Sequence, residues 1–157
     1  MMRLHICAVG RLRSGPERSL VDDYLARFDR TGRQFGLSFS RLIEVEDKKG
    51  GGKEAEALLL IKALPEPCRV VALDERGRHL SSPDFAQELA AERDSGCGDL
   101  AFVIGGADGL GAEILARADM TLSFGAMVWP HMLARVMLSE QLYRASSILA
   151  GSPYHRA

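Results

Sequence analysis

The sequence predicts one α/β domain, residues 1–157, with a mostly parallel sheet flanked by helices on both faces. Three observations carry this. Strand-like apolar runs alternate five times with stretches of helical spacing. The runs RVVALD (69–74) and LAFVI (100–104) are apolar along nearly their whole length, as strands covered on both faces must be. Glycine and proline fall at the junctions, and neither a linker-like stretch nor an internal repeat divides the chain.

The elements follow in order. Leu4, Ile6 and Ala8 alternate with His5, Cys7 and Val9, which reads as a strand ending at Gly10. Pro16, after Ser14-Gly15, suits a first helical position; Leu20, Val21, Tyr24, Leu25 and Phe28 then repeat at helical spacing as far as Thr31-Gly32. Phe35, Leu37 and Phe39 alternate and run on through Leu42, Ile43 and Val45 as a second strand. Residues 47–53, with Lys48, Lys49 and three glycines, read as a mobile loop. A helix from Lys53 to Leu64 is closed by Pro65 and Pro67, and the strand Arg69–Asp74 follows. Ser82 reads as an N-cap with Pro83 at the first helical position, opening a helix that turns Phe85 and Leu89 inward. Strand Leu100–Ile104 ends in Gly105-Gly106, and a short helix, Ala112–Ala118, leads to strand Met120–Phe124. The last helix spans His131 to Leu149, with Gly151 as its stop and Pro153 beyond.

Composition bounds the function. At 157 residues, 46% apolar and 26% charged, the chain can close a core without disulfides or metals. No apolar run approaches the roughly 18 residues of a membrane span, and the start turns polar too early for a secretory signal. Cys7, Cys68 and Cys97 are odd in number and widely spaced, which points to reduced thiols and a cytoplasmic protein. A net charge of -1 argues against non-specific coating of nucleic acid. That balance hides an asymmetry. Residues 1–33 carry seven Arg against four acids, residues 84–120 eight acids against Arg93 and Arg117, and residues 125–157 Arg135, Arg144 and Arg156 against Glu140. Sixteen of the 20 basic residues are Arg, the side chain suited to phosphates and planar groups, although a solvated surface explains the same counts.

In such folds ligands lie at the carboxyl ends of strands. Three ends stand out: Leu73-Asp74, Gly105-Gly106 and Phe124–Trp129. The stretch Gly105–Gly111 offers backbone N–H groups to a ligand, but it lacks the Lys-Ser/Thr of a phosphate-binding P-loop and the Gly-x-Gly-x-x-Gly spacing; a tight turn explains it equally. The segment Phe124, Gly125, Ala126, Met127, Val128, Trp129 is apolar yet irregular, as the wall of a pocket for a flat heterocycle would be, or as a buried turn would be. His131 opens the last helix, and Arg135 is one turn on along its face. Glu140 and Arg144, four apart, suit an intrahelical ion pair. Tyr154, His155 and Arg156 follow the helix stop, as a frayed end or as an arm that stacks on bases and grips phosphate. There is no Gly-x-Ser-x-Gly, His-Glu-x-x-His or Cys-x-x-Cys, which sets aside an α/β-hydrolase and any local metal motif.

The motifs IGGADGL (104–110), Trp129-Pro130-His131, EQLYRA (140–145) and PYHR (153–156) together resemble the RlmH-type methyltransferases of the SPOUT superfamily, along essentially the whole chain. The resemblance implies a C-terminal trefoil knot, a homodimer and S-adenosylmethionine-dependent methylation of N3 of a pseudouridine in large-subunit (23S) ribosomal RNA within the ribosome. It places the cofactor against Leu73, Gly105 and residues 124–129. It gives His131, Arg135, Arg144 and His155 to catalysis, and Tyr154 and Arg156 to RNA. Where such enzymes often carry Ser or Thr in the loop before Pro-His, this chain has Gly125 and Val128. In that reading the acidic stretch, 84–120, faces away from the RNA. The alternatives are a non-enzymatic RNA-binding module of the same fold, or a nucleotide-binding enzyme using residues 105–111 as a phosphate loop.

Overall fold

Alternation along each strand decides which helices it meets. The computed structural model describes residues 1–156. Its elements run β1 (Met2–Val9), α1 (Pro16–Gly32), β2 (Leu37–Val45), α2 (Gly52–Ala63), β3 (Arg69–His79), α3 (Ser82–Asp94), β4 (Asp99–Ile104), α4 (Ala112–Arg117), β5 (Met120–Ser123) and α5 (His131–Ala150), with a 3₁₀ turn at Arg33–Phe35 before β2. The five strands form one sheet in the order β2-β1-β4-β3-β5, and every neighbouring pair is parallel.

Leu4, Ile6 and Ala8 of β1 and Leu100, Phe102 and Ile104 of β4 meet α1, α3 and α5 on one face. Cys7, Val9, Ala101, Val103, Val70 and Ala72 meet α2 and α4 on the other. The central strands are thus apolar at almost every position because both faces are covered, and each large side chain so buried contributes about 1.5–3 kcal/mol. Cys7 is fully buried and its thiol is pushed up to about 12 by that burial, so it acts as a small apolar filler.

Three local readings are corrected. The N-cap of α3 is Ser81, whose side chain accepts from Asp84 N at 3.2 Å; Ser82 instead donates to Gln141 Oε1 on α5 at 2.8 Å. Of two consecutive serines, only the one still in extended backbone can cap. The strand expected to end at Asp74 runs to His79 after an excursion. Both Leu73 and Arg78 pair with Leu122, so residues 74–77 project out of the ladder. Residues 47–51 form a turn in which both carboxylate oxygens of Asp47 accept backbone N–H groups, from Lys49 and Gly51.

Candidate functional site

The carboxyl ends of three adjacent strands, β4, β3 and β5, open into one cleft of about 520 Å³. Each of the strand ends singled out in the sequence reaches it. Leu73 and Asp74 come from β3, Gly105 and Gly106 from the turn after β4, and Phe124, Gly125, Met127, Val128 and Trp129 from the segment after β5. His131, the first residue of α5, lines it as well.

The backbone makes the cleft. A side chain at Gly105 would place its Cβ 2.5 Å from Gly109 O, so the chain doubles back too closely for any other residue. The turn is closed by Gly109 N donating to Gly106 O at 3.1 Å. After β5, Ser123 Oγ donates to Glu75 O at 3.0 Å and accepts from Gly125 N at 3.0 Å, tying the projecting end of β3 to the irregular segment. Trp129 Nε1 reaches back to Phe124 O at 3.4 Å. Met127 and Val128 stand out, at 74% and 84% exposure, an apolar pair with little of the protein against it. Ala126 is exposed and, against expectation, is not among the residues that line the cleft.

Other lining residues were not anticipated: Lys53, Glu75, Arg76 and Asp108. Asp108 belongs to the acidic stretch expected to point away, yet the turn after β4 carries it into the cleft. Glu56 approaches Gly106, and its carboxyl is held above the ordinary value by burial and by Asp108 and Asp47.

Arg135 does not face the cleft opening. It is 0% exposed, and its guanidinium donates to Glu44 Oε2 at 2.8 Å, Val9 O at 3.2 Å and Gly10 O at 3.1 Å. Its Nε has no partner among the described residues. The expectation that it stabilises charge on a substrate is corrected: the carboxyl ends of β1 and β2 present two carbonyls and a carboxylate, which absorb its donors. Burial lowers its pKa and Glu44 offsets part of that.

The remaining predicted residues gather elsewhere. Arg144 pairs with Glu140 at 3.0 Å, lies 4.8 Å over the Tyr154 ring and meets His155 Nδ1 at 3.1 Å. Tyr154 donates to Glu140 Oε2 at 3.2 Å and packs 4.6 Å from Tyr143, which stacks near Tyr24 of α1. The tail after α5 is therefore a docked arm, not a frayed end. Burial first, with Tyr24 and Glu140, pushes the Tyr154 phenol up to about 12, so it stays protonated. Arg156 is exposed. Thirteen residues of helix, roughly 20 Å, separate His131 from Arg144, so one chain does not bring the cleft and the arm together.

A family model described as predicted SPOUT methyltransferase matches residues 2–155. Proteins named ribosomal RNA large subunit methyltransferase H from Ruegeria pomeroyi and Dinoroseobacter shibae are 66% and 65% identical over 155 residues, covering 99% of this chain and of each relative. Among solved structures, a probable methylase family protein from Haemophilus influenzae Rd KW20 is similar in fold, with a TM-score of 0.52 at 17% identity, covering 99% of this chain and 70% of that one.

Proposed function

The chain belongs to the SPOUT methyltransferase family, and from that premise we propose that it methylates large-subunit (23S) ribosomal RNA at N3 of a pseudouridine, using S-adenosylmethionine. The observation that carries this reading is the near full-length identity to relatives named for ribosomal RNA methylation. The knotted threading of the C-terminal half and a single domain over 1–157 are part of the same proposal, as is a cytoplasmic setting. No helix among the described residues is long and apolar enough to cross a membrane.

The cleft fits the cofactor. A Cβ at Gly105 would collide with the turn that shapes one wall. Leu73, Gly105, Phe124, Gly125, Met127, Val128 and Trp129 offer apolar and backbone surface for an adenine, and Asp74, Glu75 and Asp108 offer carboxylates for hydroxyls and an ammonium. When bound, the cofactor supplies a methyl group on a positively charged sulfur, open to in-line attack.

The chain's own task is to present a nitrogen and remove its proton. The imide N3 is a weak nucleophile until that proton leaves, and a neutral imidazole is the suitable acceptor. His131 stands in the cleft. His155, Arg144, Tyr154 and Arg156 lie at the far end of α5. We assign them to the cleft of a second copy in a homodimer, where Arg144 stabilises the developing negative charge and Tyr154 and Arg156 hold RNA.

Mass mapping of modified nucleotides in ribosomal RNA from cells with and without the gene tests the reaction; one methylated pseudouridine is expected to vanish in the deletion, and an unchanged map would refute it. Mixing a cleft-dead variant with an arm-dead variant (Arg144→Ala, His155→Ala) tests the shared site. Methyl transfer recovered in the mixture supports it, and no recovery in proven mixed dimers overturns it.

A further inference from the structure

Beyond the cleft, the same end of the sheet carries a second, open groove. Eleven of the sixteen arginines are in ion pairs, while Arg11, Arg13, Arg30, Arg41 and Arg156 pair with no carboxylate among the described residues. Arg11 and Arg13 share an open groove of about 640 Å³ with Leu12, Ser14, Arg18 and Glu44.

The loop that carries them is fixed rather than loose. Leu12 is buried, its N–H donates to Glu44 Oε2 at 2.6 Å, and its carbonyl accepts from Arg18 Nη1 at 3.0 Å. With Leu12 held at both backbone atoms, Arg11 and Arg13 on either side are turned outward and exposed. The groove's own acid, Glu44, is already answered by Arg135, and Arg18 by Asp22. The charge left over belongs to Arg11 and Arg13. The groove also adjoins the cleft: it starts beside Gly10, where a Cβ would lie 3.6 Å from Nε2 of His131, a cleft residue.

We propose that this groove binds the phosphodiester backbone of the RNA substrate, with Arg11 and Arg13 on phosphates flanking the nucleotide presented to the cleft. The proposal rests on the reading of the protein as an RNA methyltransferase and adds a surface that neither the cleft nor the arm supplies. Two separate guanidiniums in an open groove suit a polyanion better than a single ion.

The test uses the full-length protein and 23S ribosomal RNA from cells lacking the gene. The double variant Arg11→Ala/Arg13→Ala is compared with Arg30→Ala/Arg41→Ala, which removes the same charge elsewhere. RNA binding is measured over a series of salt concentrations, with cofactor affinity by calorimetry alongside. The groove variant is expected to bind RNA about tenfold more weakly, with the slope of log affinity against log salt reduced by about 1 to 2. Its KM for RNA should rise while kcat and cofactor affinity stay at wild-type values. Wild-type RNA affinity and slope in the groove variant, or equal weakening in the control variant, would overturn the proposal. A wild-type protein that binds this RNA and transfers no methyl to it or to ribosomal particles refutes the methyltransferase reading while leaving the groove to be judged on binding. One that does not bind the RNA refutes both.

Discussion

The two ends of the sheet treat charge in opposite ways. At the amino ends of the strands, acids and arginines are matched. Arg3 grips Asp99 through two bonds of 2.9 and 2.7 Å, His5 Nε2 joins the same carboxylate at 2.8 Å, Arg69 meets Glu92 at 3.0 Å, and Arg117 meets Asp119 at 3.2 Å. At the carboxyl ends, Arg76 pairs with Asp74 at 3.3 Å, but Arg11, Arg13 and Lys53 have no carboxylate partner among the described residues, and the backbone is stripped to glycine at 105, 106 and 109. Matched charge neutralises a closed surface; unmatched charge over bare backbone leaves a surface that can take a ligand. The acidic stretch, 84–120, follows this division: Glu92, Asp99 and Asp119 are tied to arginines at the far end, and Asp108 alone of these lies in the cleft.

Arg135 sharpens the contrast, a fully buried and engaged charge at the open end. Its loss gives the largest expected effect. Arg135→Ala takes the charged donor from Glu44, which keeps only the Leu12 N–H, and from two carbonyls, and leaves a cavity beside β1, at a cost of about 3–4 kcal/mol in unfolding free energy. Arg144→Ala, on the same helix but about a quarter exposed where it pairs with Glu140, should cost less, about 1–2 kcal/mol. Urea unfolding of both variants decides this; equal losses would show that Arg135 is no more than another surface pair.

A smaller effect is expected at the turn after β4. Gly105→Ala must push the Gly109 carbonyl away, at about 2 kcal/mol, and should weaken S-adenosylmethionine binding at least tenfold. Gly109→Ala meets nothing within 4 Å and pays only for its φ of +81°, about 1 kcal/mol. If Gly105→Ala bound the cofactor normally, the close approach at this turn would have no bearing on the site.

How far the sequence alone reached follows the same logic. All ten regular elements were legible, because their signals are local: alternation, helical spacing, and glycine or proline at the ends. The three strand ends of the cleft were legible because a parallel sheet puts its carboxyl ends together. The role of Arg135 was not. Its partners, Glu44 and the carbonyls of Val9 and Gly10, lie some ninety or more residues away, and helical spacing placed it only on the face of His131. The groove at Arg11 and Arg13 was hidden likewise, since which arginines stay unpaired depends on contacts that no local pattern encodes. The excursion at 74–77 had a signal in Gly77, whose Cβ would fall 2.7 Å from Leu122 N, but a glycine in a strand marks a bend only once its neighbour is known.

The matched end gives the smallest effect and the one with a distinct pH signature. Asp99 is pulled from 3.8 down to about 2, first by its hydrogen bond with Arg3, against some burial, and further by His5. Because the folded value lies below the unfolded one, the stabilisation is complete above about pH 4 and is lost as pH falls toward 2. Arg3 is more than half exposed, so solvent screening reduces the contribution to about 1–2 kcal/mol. Asp99→Asn should therefore be less stable than the parent by that amount near neutrality, and the gap should close as both are titrated toward pH 2. Cofactor and RNA affinity at neutral pH should be unchanged, since the pair sits at the opposite end of β1 and β4 from the cleft. A gap that stayed constant with pH would mean that the carboxylate's charge contributes nothing. A loss of RNA affinity in Asp99→Asn would mean that the two ends of the sheet are not separate in function, and the division drawn from their charges would fall.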